Sequence, residues 1–239
     1  MNAIELKNYS YRYPDGTVAL EHIDLVITQA EKVALIGPNG AGKSTLLLAV
    51  AGFAPGSGQI RIDGLELNKT NLPQIRQTLG CCLENPDDQL FMPTLQEDVA
   101  FGPMNMGLSP AEIDQRVRTA LDTVGLSHAL DKPPHHLSAG QKRSAALATI
   151  LSMNPKIITL DEPDGSLDPR HRHQLVQQLQ SLDQTLVIAT CNMSFAYSVA
   201  QRAILIDQGR IIADGPVAEI LSNKQLMEKH GLEVPIQCK

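Results

Sequence analysis

Nine consecutive residues, Gly37-Pro38-Asn39-Gly40-Ala41-Gly42-Lys43-Ser44-Thr45, have the types and spacing of a phosphate cradle. In Gly-x-x-x-x-Gly-Lys-Ser the glycines let backbone N–H groups turn inward around phosphate oxygens. The helix that starts at such a loop adds the partial positive charge of its N-terminus. Lys43 supplies a mobile cation to the β- and γ-phosphates of a nucleotide, and Ser44 can ligate Mg²⁺. A second constellation, Lys156-Ile157-Ile158-Thr159-Leu160-Asp161-Glu162, is an apolar run that ends in two carboxylates. At the sheet edge where ligands collect, Asp161 can hold Mg²⁺ through water and Glu162 can polarise an attacking water. A phosphate loop alone leaves kinases, GTPases and ATPases open. The acidic pair narrows that choice, and no Asn-Lys-x-Asp element for guanine occurs.

These residues need a frame to hold them. Lys32 to Ile36 is a short apolar strand leading into the loop, and Ser44 to Ala51, rich in Leu and Ala, is a helix leaving it. Gly52, Pro55, Gly56 and Gly58 end that helix. Ile4 to Tyr13 alternates apolar with polar residues, and a second strand lies near Ile23 to Ile27. With the turn Pro14-Asp15-Gly16 before it, this strand closes an antiparallel layer. Gln59 to Gly64 adds a strand and turn, and Thr78 to Leu83 a buried strand broken by Pro86-Asp87-Asp88. From Ser109 to about Ser152 the apolar period is helical. Ser109-Pro110-Ala111-Glu112 supplies an N-cap, a first-position proline and a third-position Glu, and Ser138 begins another helix. Strands at Lys156 to Leu160 and Thr185 to Ala189 flank a polar helix rich in Gln and His. Ala203 to Ile212 is a hairpin, and the tail from Pro216 opens on a helix. This order predicts an α/β sheet fold with a helical subdomain. Residues 1–86 and 155–215 form the α/β core, 87–154 the helical subdomain and 216–239 a tail.

A chain of 239 residues buries a core without disulfides or metals. The four cysteines, Cys81, Cys82, Cys191 and Cys238, contain no CxxC pair, which points to a reduced, cytosolic chain. A net charge of -6 without a basic block speaks against a nucleic-acid partner. Met1 to Lys7 has neither a basic region followed by an apolar run nor a cleavage site, and no apolar run approaches the roughly 20 residues that span a bilayer. Any membrane spanning must come from other chains.

Leu137-Ser138-Ala139-Gly140-Gln141, opening a helix ahead of the acidic strand, resembles the signature of ABC-transporter ATPases, usually Leu-Ser-Gly-Gly-Gln. Ser166-Leu167-Asp168 resembles the D-loop of that family, and the order of elements matches over nearly the full chain. The resemblance implies a P-loop NTPase sheet core with an antiparallel β layer and a helical subdomain. It implies ATP with Mg²⁺ held by Ser44, Asp161 and Glu84, and Tyr13 stacked on adenine. Two ATPase subunits would sandwich two ATP molecules head to tail. Each site would take Tyr13, Lys43, Ser44 and Glu162 from one chain and Ser138 and Gly140 from the other. Glu84-Asn85-Pro86-Asp87-Asp88-Gln89-Leu90-Phe91 and Glu97-Asp98-Val99-Ala100-Phe101-Gly102-Pro103 resemble the ATPase subunits of energy-coupling-factor importers. Lys132-Pro133-Pro134-His135-His136-Leu137 and Glu228 to Pro235 lean toward their cobalt/nickel branch. This implies a second ATPase subunit, a transmembrane coupling subunit docked near residues 84 to 101, a substrate-capture membrane protein, and a place on the cytoplasmic face of the membrane. His135-His136, at a helix entrance, is read as structural rather than as a metal site.

Four positions depart from that pattern. The Q-loop Gln is Glu84, which can ligate Mg²⁺ but donates no hydrogen bond when ionised. Ala139 replaces the first signature Gly. Cys191-Asn192 stands where the family has His-Asp, and a thiol does not replace the imidazole donor to the γ-phosphate. Asp164 stands at the usual Thr after Glu-Pro. Losing one transition-state contact costs on the order of 10²-fold or more in rate. The expectation is intact ATP binding with slow hydrolysis, as in the weaker half of a heterodimer. The competing readings are a nucleotide-binding regulatory module and a soluble ABC protein of translation or DNA repair. The lack of a paired domain or a basic surface speaks against the last.

Overall fold

In the computed structural model, which describes residues 1–165, 167–235 and 238, two eleven-residue strands come first, β1 (Asn2–Arg12) and β2 (Val18–Thr28). In β2 Ile23, Leu25 and Ile27 are buried while Asp24, Val26 and Thr28 are exposed, the period of two expected of a half-buried strand. β1 stops at Arg12, so Tyr13 lies in the turn rather than in the strand. The chain continues through β3 (Lys32–Ile36), α1 (Lys43–Val50), β4 (Ser57–Ile62), β5 (Leu65–Glu66), α2 (Leu72–Thr78) and β6 (Leu79–Cys82). Three helices follow, α3 (Leu95–Asn105), α4 (Pro110–Thr123) and α5 (Ala139–Leu151). The order is then β7 (Ile157–Asp161), α6 (Pro169–Ser181), β8 (Thr185–Thr190), α7 (Met193–Val199), β9 (Arg202–Asp207), β10 (Arg210–Pro216), α8 (Val217–Ser222) and α9 (Lys224–Lys229).

Two sheets result. One is antiparallel with order β2-β1-β4-β5; the other has order β10-β9-β3-β8-β7-β6, parallel except for β10 at its edge. The inner strands of the second sheet are continuous apolar runs because both faces are covered. Leu46, Leu47, Ala49 and Val50 of α1 share one core with Ile4, Leu6, Ile23 and Ile27 of the antiparallel sheet and Val33 and Leu35 of β3. The helix after the phosphate loop is thus gripped between the two sheets. The opposite strand face, with Ala34, Ile158, Leu160, Leu186 and Ile188, packs on helices α3 to α9, while Ile75 of α2 joins the core of α1.

Helix starts follow the expected chemistry. Thr94 with Glu97, Ser109 with Glu112 and Ser138 with Gln141 form capping boxes at α3, α4 and α5. The helical stretch begins at Leu95, before Ser109, and Gly102-Pro103 conceals it in the sequence. Pro103 cannot donate to the Val99 carbonyl one turn back; Ser152 Oγ donates to it at 2.8 Å instead. The strand expected from Thr78 starts one residue later, because Thr78 ends α2. Pro134–His136 is a short 3₁₀ turn in which the two imidazoles meet edge to face. No described helix is long and apolar enough to cross a membrane, and the four cysteines are free thiols.

Candidate active site

Strand β3 delivers its chain directly into the phosphate loop, and backbone sterics explain the loop's glycines. A Cβ at Gly37 would lie 2.1 Å from the Ile206 carbonyl oxygen. Gly42, the N-cap of α1, adopts φ 109°, and a Cβ there would meet the Ala19 carbonyl at 2.7 Å. The turn after β9 supports the loop from outside, with Gly209 N–H donating to the Ala41 carbonyl at 2.9 Å. Asn39 and Gly40 form the exposed tip; Ala41 and Thr45 are buried. Lys43 is also buried, and its ammonium donates to the carbonyls of Gly37 at 2.8 Å and Pro38 at 3.1 Å. Tyr13 Oη lies 2.9 Å from Thr45 Oγ1, and its ring meets Tyr11 edge to face. The structure therefore brings Tyr13 to the loop.

The ends of β7 and β8 bring in the acidic residues. Ser44 Oγ donates to Asp161 Oδ1 at 3.0 Å. Burial pushes the Asp161 carboxyl above its usual range; the Ser44 hydrogen bond opposes this, and the charges of Glu84 and Glu162 add to it. Glu162 Oε1 is 3.7 Å from Lys43 Nζ. Glu162 has φ 42°, an uncommon left-handed conformation for a non-glycine residue, and strain of that kind collects at functional sites. Its Oε2 accepts from Cys191 N at 3.1 Å and from Cys191 Sγ at 3.4 Å. Burial and the adjacent Glu162 charge raise the pKa of the Cys191 thiol, so it stays protonated and donates. Its hydrogen is spent on the carboxylate.

A second group surrounds the start of α5. Ser138 is the N-cap, followed by Ala139, Gly140 and Gln141. Gly140 has no room for a side chain, since a Cβ would lie 2.7 Å from His171 Cδ2. The same imidazole meets Asp168 Oδ2 at 2.7 Å through Nδ1, while Asp168 caps α6 by accepting from His171 N–H. Those bonds hold the Asp168 carboxyl below its usual range. Ser166 lies outside the described residues. Glu84 lines a cleft of about 400 Å³ with Ala139, Arg143 and Gly165. Arg143 spans it, donating to the carbonyls of Glu84 at 2.5 Å and Gly165 at 3.2 Å. His171 and Arg143 were not legible as site residues, because their contacts join segments distant in sequence.

Among the described residues no cluster of three or more His, Cys, Asp or Glu side chains could hold a metal ion. The donor set nevertheless fits Mg²⁺, which takes one or two carboxylates and completes its octahedron with substrate phosphates and water. Ser44 Oγ and Asp161 Oδ1, side by side at the mouth of the loop, are such a pair.

A family model described as "ABC transporter" matches residues 20–165. The chain belongs to the ABC-transporter family. It is an ATP-binding subunit and an ATPase, since members of that family hydrolyse ATP. It is 45% identical to the energy-coupling factor transporter ATP-binding protein EcfA of Methanosphaera stadtmanae, covering 97% of this chain and 86% of that one. The solved structure of CbiO1 from Clostridium perfringens, part of the ABC transporter complex CbiONQ, superposes with a TM-score of 0.85. It is 34% identical and covers 95% of this chain and 94% of that one. A dimeric ATP-binding cassette in a post-hydrolysis state with ADP and Pi superposes with a TM-score of 0.81. That cassette is 27% identical, with 90% of this chain and 98% of the other covered. The likeness to EcfA and CbiO1 places this ATPase with the energy-coupling-factor type.

Proposed function

We propose that this ATPase powers an energy-coupling-factor importer of cobalt or nickel ions by ATP-driven closure of an ATPase dimer. The observation that carries its ATP-driven part is the convergence on one loop of Lys43, the Ser44–Asp161 pair at 3.0 Å and Glu162 with Oε1 3.7 Å from Lys43; the choice of ion rests on the likeness of Lys132 to Leu137 and Glu228 to Pro235 to the cobalt/nickel branch. Backbone N–H groups from Asn39 to Thr45 take the β- and γ-phosphates, and Lys43 moves from the loop carbonyls onto them. Ser44 and Asp161, with Glu84, hold Mg²⁺, which when bound offsets charge on the phosphate oxygens. Glu162 takes a proton from the attacking water. Tyr13 stacks on adenine. Ser138, Ala139, Gly140 and Gln141 face the γ-phosphate of the partner subunit's nucleotide, with Asp168 beside them, so closure and ATP binding favour each other.

Phe91 and Phe101, exposed and edge to face at 5.1 Å, offer an apolar seat for a transmembrane coupling subunit. A substrate-capture membrane protein completes the assembly, with this chain peripheral on the cytoplasmic face. The test is to express the tagged chain with its neighbouring genes. Recovery of two membrane proteins and ATP-dependent cobalt uptake in vesicles is expected. A chain that returns alone and supports no uptake overturns the reading.

The Cys191–Glu162 contact favours a second reading, a hydrolysis-impaired partner of an intact homologous ATPase. Steady-state turnover of the purified chain is then expected to rise by about 10-fold or more in Cys191→His, as one transition-state donor returns. Robust wild-type turnover that the substitution leaves unchanged removes this reading.

A further inference from the structure

The turn Glu162-Pro163-Asp164 carries two carboxylates, and the reaction above uses only the first. Asp164 is 4% exposed. Its Oδ1 accepts from Thr190 Oγ1 at 2.9 Å and its Oδ2 from Asn192 Nδ2 at 2.8 Å. A buried carboxylate is costly unless its oxygens are paired, so these contacts hold the turn rather than decorate it. Glu162 binds Cys191, and Asp164 binds the residues on either side of Cys191. The turn is therefore stapled at two points to the end of β8. Asn192 is fixed in its own right: its N–H donates to Thr190 Oγ1 at 3.0 Å, and its Oδ1 caps α7 by accepting from Phe195 N–H at 3.1 Å.

A second tie leaves the same carboxylate. Arg172 of α6 places Nε 3.8 Å from Asp164 Oδ2 and donates from Nη2 to the Leu167 carbonyl at 3.1 Å. Its Nε is buried and makes no hydrogen bond among the described residues, so its link to Asp164 is the ion pair alone. The Leu167 N–H donates to the Asp164 carbonyl at 3.3 Å. Asp168, next in sequence, caps the helix on which Arg172 sits.

We propose that Asp164 is a positioning residue for hydrolysis. It holds the Glu162 turn against Cys191 and, through Arg172, makes the loop carrying Asp168 part of the same rigid unit. A second subunit that displaces this loop thereby moves Glu162. The inference rests on the reading of Glu162 as the base.

The test is a carboxylate–amide transposition in the full-length chain. Asp164→Asn sets amide against amide, Asn192→Asp sets two carboxylates together, and the double variant exchanges the two groups. Single-turnover hydrolysis of radiolabelled ATP by excess protein is read beside the Mg-ATP dissociation constant and the thermal midpoint. Each single variant is expected to lose about 10- to 100-fold in rate through misplacement of the base. Affinity should stay within about twofold, and the double variant should return to within about threefold of wild type. Wild-type rates in Asp164→Asn, or a double variant no faster than the slower single one, overturn the proposal.

Amide exchange reads the same link without turnover. Faster exchange at Leu167 and Asp168 and across residues 191–195 together in Asp164→Asn, reversed in the double variant, supports it; unchanged exchange at Leu167 and Asp168 overturns it. A wild-type chain that does not bind Mg-ATP overturns the functional reading itself. A chain that binds but shows no coupling overturns only the role of Asp164.

Discussion

Glu162 and Cys191 are joined by a bond that neither residue type would suggest alone. Burial raises the pKa of the Cys191 thiol most, and the Glu162 carboxylate beside it raises it further. The sign is definite: at a given pH less thiolate is present than for an ordinary cysteine, so alkylation sets in only at higher pH. Glu162→Gln removes the negative charge and is expected to accelerate iodoacetamide labelling of Cys191 at pH 8, followed by mass spectrometry. Unchanged labelling means the contact does not persist in solution. Cys82 serves as the internal reference, since burial pushes its thiol up to about 12 and keeps it unreactive through this range.

At the scale of elements, α5 and α6 meet where Gly140 faces His171. A methyl at Gly140 would press on the imidazole, and overpacking of this kind costs about 1–3 kcal/mol. Gly140→Ala is expected to lower the free energy of unfolding in urea by that amount in wild type and by clearly less in a His171→Ala background. Equal losses in both backgrounds would show that the ring is not what excludes the side chain. Most elements were legible in the sequence because their causes are local: the N-caps Ser109 and Ser138, the alternation in β2, and the apolar run of β3 into its glycines. Helix α2 was not, since only Ile75 of its seven residues is buried and it leaves almost no periodic signal. Helix α3 was hidden by Pro103, whose cost Ser152 offsets from another helix. The loop residues Gly37 to Thr45 declared themselves by spacing. Asp164 and Asn192 were visible only as departures from a pattern. That they bind each other follows from strand order, which brings the ends of β7 and β8 together.

Across the whole molecule, α1 has the antiparallel sheet on one side and the parallel sheet on the other. Nucleotide held by its loop thus stabilises both layers at once. Mg-ATP at about 100 times its dissociation constant adds about 2.7 kcal/mol, or about 5–10 °C in thermal midpoint for a domain of this size. Differential scanning fluorimetry should show that shift as one cooperative transition, and Lys43→Ala should abolish it. Two separated transitions would mean that the layers unfold independently.

The brace behind the phosphate loop extends to His230, the C-cap of α9. Asp207 closes β9 beside the turn that holds Ala41, and His230 Nδ1 meets its Oδ2 at 2.7 Å. A cut just beyond residue 222, which removes His230, therefore takes away a support of the nucleotide pocket from behind. Such a change should appear as weaker ATP affinity rather than as lost solubility.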